Sequence, residues 1–233
     1  MSSSPAQLLG VIRCDLPGAG HALFTTRARG NLSTMRGERH QHGRSERERL
    51  ARELQLDGLC AGLQVHGNVV ARVGAGDRAG EIGPDIEADG QATAVRTLGM
   101  TVLVADCLPV LLGSPQAVVA LHAGWRGLVD GVLEEGMRAM RQLGGSDDIA
   151  AVIGPGAGVC CYEVGEEVHA RLGSAHRRGT CADLKAVARE RLLAAGACEV
   201  SDLELCTICD QRFFSHRREG ARAGRQAGIA WLS

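Results

Sequence analysis

Short apolar runs, separated by glycine, proline and charged residues, dominate the hydrophobic pattern of this chain. Runs of this kind are typical of strands buried in a sheet. The clearest one begins at Met100 and leads directly into Asp106-Cys107, and a later one leads into His122. Strands are predicted over residues 22–27, 100–105, 109–112, 117–121, 149–153 and 228–232, with shorter pieces within 63–73 and near 203–206.

Helical periodicity follows His122 and predicts one helix from Leu128 to Leu143, ended by two glycines. The apolar residues that recur there at three and four positions are Val129, Val132, Leu133, Met137 and Met140. Further helices are predicted after a capping-box pattern at Ser45 and over residues 163–172 and 184–195. Because no repeat or linker divides the chain, we predict a tail and lead-in over residues 1–20 and a single mixed domain over residues 21–233.

Composition narrows the class of protein. A chain of 233 residues with 45% hydrophobic residues can bury a sizeable core, and a net charge of −1 gives no support for binding nucleic acid or an anionic membrane. Aromatic residues, at 3%, are too few for a nucleic-acid stacking platform. No signal-peptide pattern or membrane-length apolar run is found. Nine cysteines without a framework spacing predict reduced thiols and a cytoplasmic protein.

Three residues with metal-binding side chains, His66, Cys107 and His122, each lie at the end of a predicted strand beside glycine or proline. Two imidazoles and one thiolate, with water in the fourth position, form a catalytic type of zinc site. Zinc at such a site lowers the pKa of bound water towards ~7 or polarises a substrate atom. Spacing alone is not diagnostic for ligands on separate strands, so an ordinary structural role for each residue stays open.

Other candidates are weaker. Cys206 and Cys209 form a CxxC that could bind a metal with His216 or act as a redox pair, but no second CxxC accompanies it, which favours ordinary thiols. Cys160-Cys161 could be nucleophiles or a packing feature. Arginines next to glycine turns, including Arg126 in the first turn after His122, would form an anion pocket if they converge.

Several motifs occur together in an order that resembles a known family. They are Gln64–Gly67, Ala88–Gly90, Ala105–Leu112, His122–Gly127, Ile153–Pro155, Cys160–Val164, Phe213–Arg218 and Gly224–Gln226. Together they resemble the YfiH-type laccase-domain family, once called polyphenol oxidases and now associated with purine nucleoside phosphorylase activity. The resemblance covers roughly residues 20–233.

The resemblance implies an α+β fold with layers in the order α/β/β/α, similar to the catalytic domain of cytotoxic necrotising factor. It also implies one zinc ion on His66, Cys107 and His122, with copper only as an adventitious occupant. The family is credited with phosphorolysis of adenosine, inosine and methylthioadenosine to base and ribose 1-phosphate, and with deamination of adenosine. The implied partners are a purine nucleoside and phosphate, without nucleic acid or membrane; the oligomeric state stays open.

Roles for other residues follow from this interpretation. In deamination, water activated by the metal would attack purine C6, with Asp106 or Asp89 as the proton carrier. In phosphorolysis, Arg27, Arg126 and Arg217 would hold the phosphate.

Three alternative functions stay open at this point. Bacterial relatives are also described as editing amidases for cytoplasmic peptidoglycan precursors, which would use the same metal site. A non-catalytic zinc-binding protein would close the site with a fourth protein ligand. A copper-dependent polyphenol oxidase would need several coppers, and eight histidines with one His-x-His at His40 and His42 are too few to fill such sites.

Overall fold

A computed structural model of the protein describes residues 9–17, 20–33, 38–75, 86–145 and 148–233, with backbone alone for residues 38–41. The strands are β1 (Val11–Asp15), β2 (Gly20–Thr25), β3 (Gly58–Cys60), β4 (Val70–Arg72), β5 (Gly90–Thr93), β6 (Leu98–Val104), β7 (Leu108–Gly113), β8 (Val118–Ala123), β9 (Ala150–Ile153), β10 (Arg177–Arg178), β11 (Cys181–Ala182), β12 (Glu199–Asp202) and β13 (Gln226–Leu232). The helices are α1 (Glu38–Glu53), α2 (Trp125–Asp130), α3 (Val132–Gln142), α4 (Glu166–Leu172), α5 (Leu184–Ala194) and α6 (His216–Glu219), with 3-10 turns at Arg27–Arg29, Ser174–His176 and Gly220–Arg222.

The first sheet has five strands in the order β1-β2-β13-β6-β3. Neighbouring strands are antiparallel except β3, which runs parallel to β6 at the edge. The register places Gly228 of β13 opposite Phe24 of β2 and Val102 of β6. The segment that the sequence presents as a lead-in contributes β1, an edge strand of this sheet.

The second sheet has six strands in the order β12-β9-β7-β8-β5-β4. Its centre is the antiparallel pair β7 and β8, in which Leu108 lies opposite Ala123 and Leu111 opposite Ala120. The edge strands β12 and β4 run parallel to their neighbours. Because β7 begins where β8 ends, the turn before β7 lies beside the last residues of β8.

β7 and β8 are buried on both faces, which explains why their sequences are apolar apart from His122. Alternate side chains of a strand point to opposite faces of the sheet. Leu111 and Ala120 therefore pack between the two sheets, whereas Val110 and Leu121 pack against α3 and α5.

The outer face of the first sheet is covered by α1, whose Leu50 packs with Leu23, Leu103 and Ile229. The layers are thus helix, sheet, sheet and helix, and the α+β fold with α/β/β/α layers is confirmed. Among the described residues, no helix combines the length and the apolar character needed to cross a membrane.

Two predicted elements were wrong. The helix predicted from Leu128 to Leu143 is two helices, because Gly131 adopts φ +91° and ends α2 before α3 begins. The strand predicted near residues 203–206 lies earlier, as β12. Its exposed Glu199 and Ser201 alternate with buried Val200, so this edge strand has little apolar sequence, and Glu204 at φ +56° follows it.

Candidate metal centre

The structure brings together His66, Cys107 and His122, the three residues that the sequence predicts as metal ligands. His66 lies in the turn before β4, Cys107 in the turn between β6 and β7, and His122 next to the last residue of β8. Their ligand atoms all lie within 4.8 Å of one another. The two imidazole rings meet edge to face with centroids 4.8 Å apart. His122 is buried and His66 is exposed, so the group opens to solvent on one side.

Asp89, which is fully buried, orients two of the three ligands. Its Oδ1 lies 2.7 Å from Nδ1 of His122, which leaves Nε2 of that ring available for a metal. The same carboxylate accepts hydrogen bonds from the backbone N–H groups of Val65, His66 and Gly67 at 2.8 to 3.0 Å. One buried side chain therefore fixes both the His122 ring and the turn that holds His66.

The His66 turn is also fastened to the first sheet. His66 adopts φ +66°, a left-handed conformation that is costly for a residue other than glycine. Gln64, two residues earlier, donates from Nε2 to the carbonyl of Leu103 and accepts from the Leu103 N–H, both at 2.8 Å. These bonds tie the turn to the end of β6, the strand that leads to Cys107.

The Cys107 turn is held through its neighbour Asp106, which is buried at φ +88°. The Asp106 carboxylate accepts hydrogen bonds from the Thr207 hydroxyl at 2.7 Å, the Ser215 hydroxyl at 3.1 Å and the Arg217 N–H at 2.7 Å. Its backbone carbonyl accepts from Ala157 N–H at 2.7 Å. Three distant segments of the chain thereby meet at the residue that positions the thiol.

The electrostatics of the group favour a thiolate. Burial raises the pKa of the Cys107 thiol, but the adjacent His122 and His66 outweigh it and lower the pKa to about 6. Burial lowers the pKa of His122, but Cys107 and Asp89 outweigh it and raise that pKa to about 9. Burial also opposes ionisation of Asp89, yet its hydrogen bonds hold its pKa below the ordinary value. Near neutral pH the site therefore presents Cys107 in the form that binds metals.

The glycines after His122 make room for the other ligands. A Cβ at Gly124 would lie 3.0 Å from the Cys107 sulfur and 3.2 Å from Cδ2 of His66, and one at Gly127 would lie 2.9 Å from the Gly67 carbonyl. The space that these glycines leave is therefore occupied by the Cys107 and His66 turns.

Two of the three predicted phosphate-binding arginines lie near the metal ligands. The Arg126 guanidinium stacks 4.3 Å from the Trp125 ring centre. Arg217 lies 5.4 Å from the ring of Tyr162 and donates to the carbonyl of Glu163 at 3.0 Å. Both are exposed, and the charges of both act on Tyr162.

Arg27 is bound elsewhere. It pairs with the Glu219 carboxylate, donates to the carbonyl of Phe213 at 3.1 Å and lies 4.5 Å from the ring centre of Phe214. Its charge is therefore already compensated by a protein carboxylate.

A cleft of about 500 Å³ opens beside Arg217, and its lining includes Trp125, the ring on which Arg126 stacks. Trp125, Tyr162, Val168 and Arg217 contribute to its walls. Burial and the negative charge of Cys107 raise the pKa of Tyr162 to about 12, so its phenol stays protonated at neutral pH. Tyr162 thus lies within electrostatic range of the metal ligands while lining the cleft.

The sequence interpretation assigns no role to two residues that the structure places at the site, Gln64 and Tyr162. It includes a third, Arg225, only among the arginines next to glycine turns that could form an anion pocket. Burial lowers the pKa of Arg225, and the negative charges of Cys107 and Asp106 oppose that shift. All three residues belong to the motifs that showed the family resemblance, which is the signal that could have drawn attention to them.

Two packed mixed sheets, covered by helices and carrying a His-Cys-His set where strands end, define an α+β domain with a candidate metal site. The chain belongs to the family described as multi-copper polyphenol oxidoreductase laccase, whose profile matches residues 19–233. Proteins named YfiH occur both among the similar sequences and among the similar solved structures, so the predicted YfiH-type resemblance is confirmed.

Individual relatives and one solved structure are similar to the chain over almost its whole length. A Xylella fastidiosa protein named purine nucleoside phosphorylase is 38% identical, over 94% of this chain and 89% of its own. Purine nucleoside phosphorylase YfiH of Shigella flexneri is 32% identical, over 96% and 94% respectively. The crystal structure of YlmD from Geobacillus stearothermophilus superposes with a TM-score of 0.85 at 27% identity and covers 97% of both chains.

Proposed function

We propose that the chain is a zinc-dependent purine nucleoside phosphorylase that also deaminates adenosine. The observation that supports this most directly is the convergence of His66, Cys107 and His122 within 4.8 Å, in a family with relatives named purine nucleoside phosphorylase. The substrates would be phosphate with adenosine, inosine or methylthioadenosine, and the products the free base and ribose 1-phosphate or its methylthio derivative.

The donor set fits zinc. Two imidazole nitrogens and one thiolate are ligands that zinc accepts, and three protein ligands leave a position for substrate or water. The hydrogen bond from Asp89 to His122 is the support that ligating histidines usually have. Bound zinc would supply Lewis-acid polarisation of a substrate atom.

The cleft lined by Tyr162, a residue on which the charge of Cys107 acts, would bind the substrates. Arg126 and Arg217 are the cations proposed for phosphate, because both are exposed and act on Tyr162 at the cleft. Arg27, already paired with Glu219, is the weaker of the three candidates. Trp125 and Tyr162, the aromatic residues in the walls of the cleft, are the side chains proposed to contact a purine ring.

The two carboxylates act by positioning in this proposal. Asp89 faces four donor groups and Asp106 three, so neither oxygen pair is free in the arrangement described. Proton transfer by either carboxylate, which the sequence interpretation suggests, would require one of these hydrogen bonds to open.

The test is product analysis with purified, zinc-loaded protein and adenosine, with and without phosphate. We expect adenine and ribose 1-phosphate only when phosphate is present, and inosine in both mixtures. Cys107→Ala, purified in the same way, should reduce both reactions to background and so exclude a contaminating enzyme. Absence of adenine and inosine from both mixtures would overturn the proposal.

Metal identity needs its own measurement. Protein produced without added copper should contain zinc bound through Cys107, and Cys107→Ala should lose it. Copper in place of zinc, with oxidation of a phenol as the main activity, would instead support the oxidase named in the description of the family.

A further inference from the structure

A second group of metal-binding side chains lies outside the His66–Cys107–His122 set. The sulfur atoms of Cys160, Cys161, Cys206 and Cys209 all lie within 4.8 Å of one another. Sγ of Cys209 is 2.7 Å from that of Cys161 and 3.4 Å from that of Cys160. The CxxC at Cys206 therefore has a partner pair, supplied by the turn that follows β9.

The spacing of these sulfurs suits a tetrahedral metal. Sulfur atoms at about 2.3 Å from a tetrahedral zinc lie about 3.8 Å from one another. The observed separations, from 2.7 Å to at most 4.8 Å, surround that value. No disulfide involves Cys160, Cys161, Cys206 or Cys209, so all four thiols are available as ligands.

Backbone N–H groups hydrogen-bond with one of the sulfurs, as they do around the sulfurs of iron–sulfur sites. Gly158 donates its N–H to Sγ of Cys206 at 3.3 Å. The backbone N–H groups of Cys209 and Ile208 also hydrogen-bond with Cys206. A Cβ at Gly158 would lie 3.0 Å from Cβ of Cys206 and 3.2 Å from the Cys160 sulfur, so glycine permits this close approach.

The two cysteine pairs fasten together segments that also hold the first site. Gly156 forms an isolated parallel bridge with Cys206, and the Thr207 N–H donates to the Gly156 carbonyl at 2.9 Å. Thr207 in turn donates its hydroxyl to Asp106, the neighbour of Cys107. A clamp at the four cysteines would therefore restrain the segments that position the Cys107 turn.

We propose that Cys160, Cys161, Cys206 and Cys209 bind one zinc ion in a closed structural site that fastens residues 156–161 to residues 206–209. Four thiolates select soft or borderline metals such as zinc, and a full set of four protein ligands leaves no position for substrate. This second zinc would have a structural role, and it would be a different ion from the one proposed at His66, Cys107 and His122.

The test counts metal ions in the reduced full-length protein by native mass spectrometry and elemental analysis. The double variant Cys161→Ser/Cys209→Ser should lose one zinc relative to the unmodified chain. Cys107→Ala/His122→Ala should retain one zinc. Cys198→Ser, which removes an exposed cysteine outside both groups, should lose none.

A second measurement needs no variant. The native reduced protein is alkylated and the modified cysteines are identified by peptide mapping. Cys198 should be modified quickly, and the four cysteines only after a chelator has removed the metal. Exposure alone would not produce this difference, because Cys160 and Cys209 are exposed, as Cys198 is. The proposal is overturned if the four react as fast as Cys198, if Cys107→Ala/His122→Ala contains no zinc, or if iron is bound instead. A disulfide between two of the four in protein purified without reductant would also overturn it.

Discussion

The carboxylate of Asp89 holds two of the three proposed metal ligands in position. It joins β5, the His66 turn and the His122 ring, which no other described side chain does by hydrogen bonds. Three N–H groups and one ring nitrogen converge on its two oxygens. To satisfy them, the side chain at this position needs a negative charge and two oxygens that accept hydrogen bonds. An uncharged side chain of the same shape would fail to satisfy all of them.

Replacing Asp89 with asparagine should therefore weaken metal binding about 10- to 100-fold, as loss of a partner of a ligating histidine usually does. Competition with a chromophoric chelator measures the affinity. Asp57→Asn is the matched control, because Asp57 is exposed and bonds Thr97 at the opposite end of β6. Equal affinity of both variants would contradict the orienting role of Asp89.

Cys107 and His122 have opposite pKa shifts, which predict the pH profile of the metal-free protein. The lowered pKa of Cys107, about 6, keeps it a thiolate above that pH, and protonation removes its reactivity as pH falls through about 6. Alkylation of Cys107 in chelator-treated protein should therefore rise to half its maximum near pH 6.

His122→Gln should move this midpoint upward, towards the ordinary value of 9.0 for a thiol, because the imidazolium charge is removed. Cys198 in the same sample gives the internal comparison. A midpoint for Cys107 that coincides with that of Cys198 would show that the histidines do not stabilise the thiolate.

At the scale of elements, the N-cap residue of the short helix α2, Gly124, lies against Cys107 and His66. Gly124 has φ −74°, which alanine adopts without strain, so a substitution there tests space alone. Because a Cβ would contact Cys107 and His66, Gly124→Ala should reduce metal content after dialysis, with a smaller effect on folding. Inductively coupled plasma mass spectrometry measures the metal, and circular dichroism the fold.

Gly67→Ala is the control for this substitution. Its Cβ would meet only ordinary contacts, at 3.6 Å from Asp89 and 3.7 Å from Val65, and its N–H is retained. If Gly67→Ala loses as much metal as Gly124→Ala, the effect is not due to crowding of the ligands.

The elements that the sequence predicts well are those whose environment is uniform. Four strands are buried along their whole length, and their apolar runs therefore predict buried strands directly: β6, β7, β8 and β9. β12 lies at an edge with exposed side chains, and its sequence has no comparable run.

The two groups of candidate metal ligands also differ in how well the sequence predicts them. His66, Cys107 and His122 each follow or end a predicted strand, and the family motifs include them. Cys160-Cys161 and the CxxC at Cys206 are separated by α4, α5 and β12, and only long-range pairing joins them. Sequence spacing does not encode such a contact, so the sequence interpretation left the CxxC without a partner pair.

Over the whole molecule, stability depends on the apolar layer between the two sheets. Leu111 is fully buried in this layer, so Leu111→Ala should lower the free energy of unfolding by about 2–5 kcal/mol. Urea denaturation measures the loss. Leu193→Ala on α5, where the side chain is 49% exposed, should change it by no more than about 0.5 kcal/mol. Similar losses in both variants would contradict this account of the core.

The central position of β13 has a consequence for biosynthesis. β13 is the last strand in the sequence, yet it lies between β2 and β6 in the middle of its sheet. A nascent chain on the ribosome therefore exposes two unpaired strand edges until this strand has left the exit tunnel, and such edges recruit other chains. Chaperone capacity during translation, more than the strength of the finished core, would then determine how much native protein a cell obtains.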